Sequence, residues 1–133
     1  RVFVACVRGL TAPRGSIGHA LREGGRVVEA RTRYRRRGTW AGHTIVEVTP
    51  EQDRPHQIEK HLADIGHPVL GDERHGHGPT NRHFAEKYWL DRPFLHLHSI
   101  TLTPPGAGAP ITITCPLPAD LPPPEGAKPG LLR

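Results

Sequence analysis

The stretch from His43 to Asp72, HTIVEVTPEQDRPHQIEKHLADIGHPVLGD, decides the fold. Residues 43–49 alternate, so Ile45, Glu47 and Thr49 share one face of a strand while Val46 and Val48 share the other. A turn follows. Asp53 is placed to cap a helix, with Pro55 near its first turn. Ile58, Leu62 and Ile65 recur at i, i+4 and i+7, which makes one apolar helical stripe. Gly66 ends that helix and Pro68 prevents a restart.

Working outward, residues 1–9, RVFVACVRG, are rich in β-formers and read as a strand. The chain starts inside this apolar alternation, as the middle of something longer would. Exposed apolar surface is therefore expected on one set of Val2, Val4 and Cys6 or Phe3, Ala5 and Val7. Pro13 and Gly15 mark a loop, and Gly24–Gly25 a hairpin turn. Residues 27–36 alternate as a strand that Gly38 breaks. A second helix is predicted over 82–90, and strands over 94–102 and 110–115 joined by the PPGAGA loop. After Cys115 the chain turns Pro-rich and is expected to bury little. The residues thus predict an α+β fold, an antiparallel or mixed sheet flanked by short helices, over 1–120, followed by a Pro-rich tail over 121–133.

The chain has 133 residues, with 35% hydrophobic residues, 15 Gly and 15 Pro, which is a thin core for one domain. Its formal charge of +5 points to a polyanionic partner or to a mildly basic surface. Two cysteines, Cys6 and Cys115, do not make a disulfide framework and fit a reducing cytoplasm. No apolar run approaches a membrane span, so no membrane partner is expected.

Two H-x-H pairs, His75/His77 and His96/His98, have the donors for a four-His zinc site. Without a C-x-x-C or an acidic partner they are read as polar histidines, and no metal is expected. A small His-rich metal protein remains a third reading of the chain. Arg31, Arg33 and Arg35 would share one strand face, able to follow a phosphate backbone or simply to be solvated.

The His43–Asp72 string resembles the "GRTHQIRxHxxxxGHPxxGD" motif of the RluA-type RNA pseudouridine synthases. His56-Gln57-Ile58, His61, Gly66-His67-Pro68 and Gly71-Asp72 carry the match. RVFVACVRG is similar to the family's "KxYxAxVxG" strand, FLHLHSITLTPP to "LLLHAxxLxxxHP", and PITITCPLPADL to "xxTFxAPLPxDF". HGHGPTNRHFAEKYWLDRPFLH resembles the corresponding segment of the tRNA-directed TruC-like branch.

The resemblance implies the C-terminal part of a pseudouridine synthase catalytic domain, working without cofactor on structured RNA, on tRNA in preference to rRNA, as a cytoplasmic monomer. It implies a nucleophilic Asp in an "HRLDxxTSG" motif upstream of this chain, so that the chain alone is inactive. The catalytic positions it marks are Phe3, where the family has Tyr, and Glu59, where it has the Arg that pairs with the nucleophile. Arg31, Arg33, Arg35, Arg54, His56, Gln57 and His61 are the candidate RNA-binding residues, with Leu95 on the pocket wall. Arg54, His56 and the arginine cluster are expected to flank one groove. The departures at Phe3 and Glu59 open an alternative, a catalytically degenerate RNA-binding relative.

Overall fold

A computed structural model describes residues 1–106 and 108–121. The elements run β1 (Val2–Val7), β2 (Arg14–Ile17), β3 (Leu21–Glu23), β4 (Arg26–Val28), β5 (Thr32–Trp40), β6 (His43–Pro50), α1 (Gln57–Asp64), α2 (Gly78–Tyr88), β7 (Leu95–Leu102) and β8 (Ile111–Thr114). Six strands form one sheet in the order β2-β5-β6-β1-β7-β8, and β3-β4 form a separate hairpin. Every pairing is antiparallel, so the α+β expectation holds.

The register sorts the side chains by face. Ala5 pairs with Val46 and Phe3 with Val48, which pairs in turn with Tyr34. This face packs Ala5, Val7, Val46, Val48 and Tyr34 against Ile58 and Leu62 of α1. Burying each such aliphatic chain is worth about 1.5–3 kcal/mol. The opposite face carries Val4, Cys6 and Ile45, covered by Phe84 of α2 with Leu70, Leu90 and Phe94. Burial pushes the Cys6 thiol far above its usual range, so it behaves as a core hydrophobe.

The exposed face expected along residues 1–9 is therefore not found. β1 lies between β6 and β7, and Val4, Ala5, Cys6 and Val7 are fully buried. Exposed apolar surface lies instead at the outer edge, where Leu102, Ile111 and Ile113 are about half exposed.

The chain after Cys115 also departs from expectation. Leu117 and Leu121 enter the core beside Phe94. Arg92 donates through Nε to Asp120 (2.8 Å), which holds the Asp120 carboxyl below its usual range and fastens the segment. The remainder of the proposed tail, 122–133, lies outside the described residues.

Local chemistry explains other differences. Gly24 and Gly25 both have positive φ, the conformation a tight hairpin turn needs. Gly38 does not end β5, because a bulge between Arg36 and Gly38 absorbs the irregularity and returns Trp40 to the core face. Residues 14–17, read as a loop, pair with β5, and Gly15 lets the Tyr34 ring lie across the strand: an added Cβ would sit 2.5 Å from Tyr34 Cε1. α2 starts earlier than predicted because the His77 side chain accepts from Thr80 N–H and Pro79 fits the first turn. Gly9 N–H donates to His43 Nδ1 (2.8 Å), and burial, then Arg8 and His83, lower the His43 pKa and favour that neutral acceptor.

Candidate active site

One cavity, about 330 Å³, opens beside the N-terminus of α1 on the α1 face of the sheet. Phe3 and Leu95 form its apolar wall, and Pro50, Asp53, Arg54, His56, Gln57 and Glu59 complete it. The two positions marked by their departure from the family pattern, Phe3 and Glu59, thus line one space with Gln57 and Leu95. They are brought together because β1 pairs with both β6 and β7, while the turn after β6 returns α1 across the sheet.

The helix entry differs from the sequence reading. Asp53 is not the cap; it is exposed and ion-paired with Arg1. The N-cap is His56, in the left-handed region at φ 54°, and its side chain makes no capping hydrogen bond. A non-glycine residue held there costs on the order of 1–3 kcal/mol. The imidazole is used elsewhere: Nδ1 meets Glu59 Oε2 at 2.9 Å, and Arg74 Nη1 lies 3.3 Å from Nε2. Arg54 is held by β3 and by the residue after β4, donating to Glu23 Oε2 and to the Glu29 carbonyl, both at 3.3 Å.

Gln57 and His61 serve a buried polar network. Gln57 Nε2 donates to the Arg31 carbonyl (3.0 Å) and to Thr32 Oγ1 (3.1 Å). The Thr32 hydroxyl meets His61 Nδ1 at 2.7 Å, and His61 Nε2 donates to the His19 carbonyl at 2.7 Å. His61 is fully buried and does not line the cavity, which corrects its reading as an RNA contact. This network fixes the start of α1 to β5. Thr32→Val is expected to destabilise the fold by about 1–3 kcal/mol, since it strips a partner from two buried polar groups. Chemical denaturation checks this, and an unchanged midpoint would contradict the network's role.

The arginines of β5 lie elsewhere. Arg33 pairs with Ser16 and Thr49, and Arg35 with Arg14 and Glu47, all on the face opposite Phe3 and Tyr34. With Arg14 they line a second groove of about 510 Å³. Arg31 joins this side, donating through Nη1 to Ser16 Oγ (3.0 Å). The single groove expected for these arginines with Arg54 and His56 is thus two sites separated by the sheet. The H-x-H pairs are also apart in role: His96 and His98 meet the Cys115 carbonyl, while His77 caps α2 and His75 faces Asp72. Among the described residues, no group of three or more His, Cys, Asp or Glu is placed to hold a metal ion.

Comparison with known proteins gives this geometry a lineage. No protein-family model matches the chain. An "uncharacterized RNA pseudouridine synthase" of Chloroflexus aurantiacus is 38% identical over 109 residues, 82% of this chain and 32% of that protein. The tRNA pseudouridine synthase C of Salmonella typhi is 41% identical over 69 residues, 52% of this chain and 26% of the relative. The chain is a relative of the RNA pseudouridine synthases. The ribosomal large subunit pseudouridine synthase D of Xanthomonas campestris adds 35% identity over 115 residues, 82% of this chain and 34% of the relative. The chain spans between a quarter and about a third of the length of these pseudouridine synthases.

Among solved structures, human RNA Pseudouridylate Synthase Domain Containing 1 superposes with a TM-score of 0.67 at 23% identity, over 88% of this chain and 54% of that one. Human RNA Pseudouridylate Synthase Domain Containing 4 gives 0.65 at 18%, over 89% and 57%. At these identities the likeness is one of fold, and it is the pseudouridine synthase fold. Among the described residues no helix is long and apolar enough to cross a membrane.

Proposed function

We infer that residues 1–120 are the C-terminal part of a pseudouridine synthase catalytic domain, and that the whole protein isomerises uridine to pseudouridine in structured RNA. The observation that carries this reading is the 35% identity to ribosomal large subunit pseudouridine synthase D across 82% of the chain. The cavity at the start of α1 is the uridine site, with Phe3 and Leu95 available to stack on a base turned out of its helix. The nucleophile comes from a segment preceding Arg1, so this chain alone is inactive.

Arg14, Arg33 and Arg35 on the opposite face, joined by Arg31, meet phosphates of the same RNA at a distance from the reacting base. Arg54, His56 and Gln57 act at the cavity itself. tRNA is the favoured substrate, supported by the 41% identity to tRNA pseudouridine synthase C. The protein works as a cytoplasmic monomer, and the rearrangement is redox-neutral and consumes no co-substrate, so no cofactor is invoked.

The test is pseudouridine mapping of tRNA and rRNA after incubation with the protein at its full natural length. New pseudouridine at defined tRNA positions is expected. RNA binding without any conversion would favour the catalytically degenerate relative that Phe3 and Glu59 bring to mind. Absence of both binding and conversion would sink the reading altogether.

A further inference from the structure

Isomerising uridine to its C-glycoside breaks the N1–C1′ bond and forms a C5–C1′ bond. The C5–H bond must then break. Its electron pair re-forms the C5–C6 double bond, one proton leaves C5, and one is taken up at N1. Such a site needs a proton acceptor close to the base. Phe3, on the cavity wall, has no polar side-chain atom to offer.

Three acceptors line the cavity among the described residues: Asp53, His56 and Glu59. Asp53 is exposed and engaged by Arg1. Glu59 is turned onto His56. His56 is different, because its contacts fix its tautomer. Arginine can only donate, so the approach of Arg74 Nη1 leaves the lone pair on Nε2 and the proton on Nδ1, where it is donated to Glu59. A carboxylate behind an imidazole both aims the ring and stabilises the imidazolium formed on proton uptake.

We propose that His56, aimed by Glu59, is the group that accepts the C5 proton of the bound base. The proposal rests on reading this cavity as the uridine site. The left-handed backbone at His56 supports it independently, since the residue holds a strained conformation while its side chain leaves the helix end uncapped. Arg74 is exposed and occupies the Nε2 lone pair, and a substrate phosphate draws it off to free the acceptor. The charged and titratable groups around His56 are Glu59 on its own helix, Arg74 and His75 on the loop after Gly71, Arg54 and Asp53 on the preceding turn, and Arg1 behind Asp53.

The decisive variant is His56→Gly in the full-length protein, because glycine adopts the left-handed conformation without strain and the fold is retained. Its melting temperature is expected to match or exceed that of the natural protein. Single-turnover pseudouridine formation on tRNA is expected to fall about 100-fold. Added imidazole should restore part of the rate. Glu59→Gln should lower the rate less than His56→Gly does. An active natural protein whose rate survives His56→Gly would overturn the assignment while leaving the uridine site intact. A natural protein that binds RNA but forms no pseudouridine would overturn both.

Discussion

Replacing Glu59 by Arg is expected to cut pseudouridine formation by about 10²-fold or more, although it brings the stretch nearer to the motif it resembles. In this chain the Glu59 carboxylate is 2.9 Å from His56 Nδ1, while Arg74 already approaches the other ring nitrogen. A guanidinium at position 59 would leave the imidazole between two cations, where taking up a proton is disfavoured. The fold should tolerate the change, since Glu59 lies in the first turn of α1 and its loss removes a helix-dipole contribution of about 0.3–1 kcal/mol and the contact with the half-exposed His56 side chain. Single-turnover assays on tRNA with matched thermal melts would check both statements. A rate that rises on Glu59→Arg would mean that the His56–Glu59 pair is a decayed remnant, and the degenerate-relative reading would gain.

Gly71→Ala is expected to destabilise the protein by about 3 kcal/mol or more, lowering the melting temperature by roughly 10 °C or more. Gly71 has φ +83°, and a methyl group there would run into the Arg92 carbonyl, which is backbone and cannot swing aside. The same turn donates Gly71 N–H to Asn81 Oδ1 (2.8 Å), which orients the loop carrying Arg74 towards His56. Gly66→Ala is the control. Gly66 has φ +82° but open space around its Cα, so only the conformational cost of about 1 kcal/mol applies. Equal melting temperatures for the two variants would show that the Arg92 contact does not matter.

Much of the fold was legible because it rests on local periodicity. The alternation over 43–49 and the stripe Ile58, Leu62 and Ile65 identified β6 and α1, and with them the neighbourhood of the cavity. What stayed hidden depended on partners distant in sequence. Asp53 has the better capping chemistry, yet Arg1 takes it and His56 becomes the cap. Leu117 and Leu121 sit in a Pro-rich run that suggests solvent, and only the Phe94 side of the core reveals their burial. His61 shares its helix with cavity residues but points to Thr32, and no spacing rule distinguishes the two directions. The grouping of Arg31, Arg33 and Arg35 on one side followed from strand alternation. Their separation from Arg54 and His56 followed from sheet order, which a linear pattern does not encode.

The position of β1 bears on how the molecule comes to exist. It is the first strand of this chain, yet it is the inner strand whose neighbours, β6 and β7, are reached through pairs such as Phe3 with Val48 and with Leu97. Such long-range pairing implies slow folding, because loop closure must precede the contacts that reward it. During synthesis the apolar VFVACV segment waits on the ribosome for partners made far later, exposed to chaperones and to other nascent chains. The cavity, built from Phe3, the start of α1 and Leu95, forms only when that last pairing closes. A polypeptide halted before β7 would therefore carry the motif residues without the Leu95 wall of the cavity.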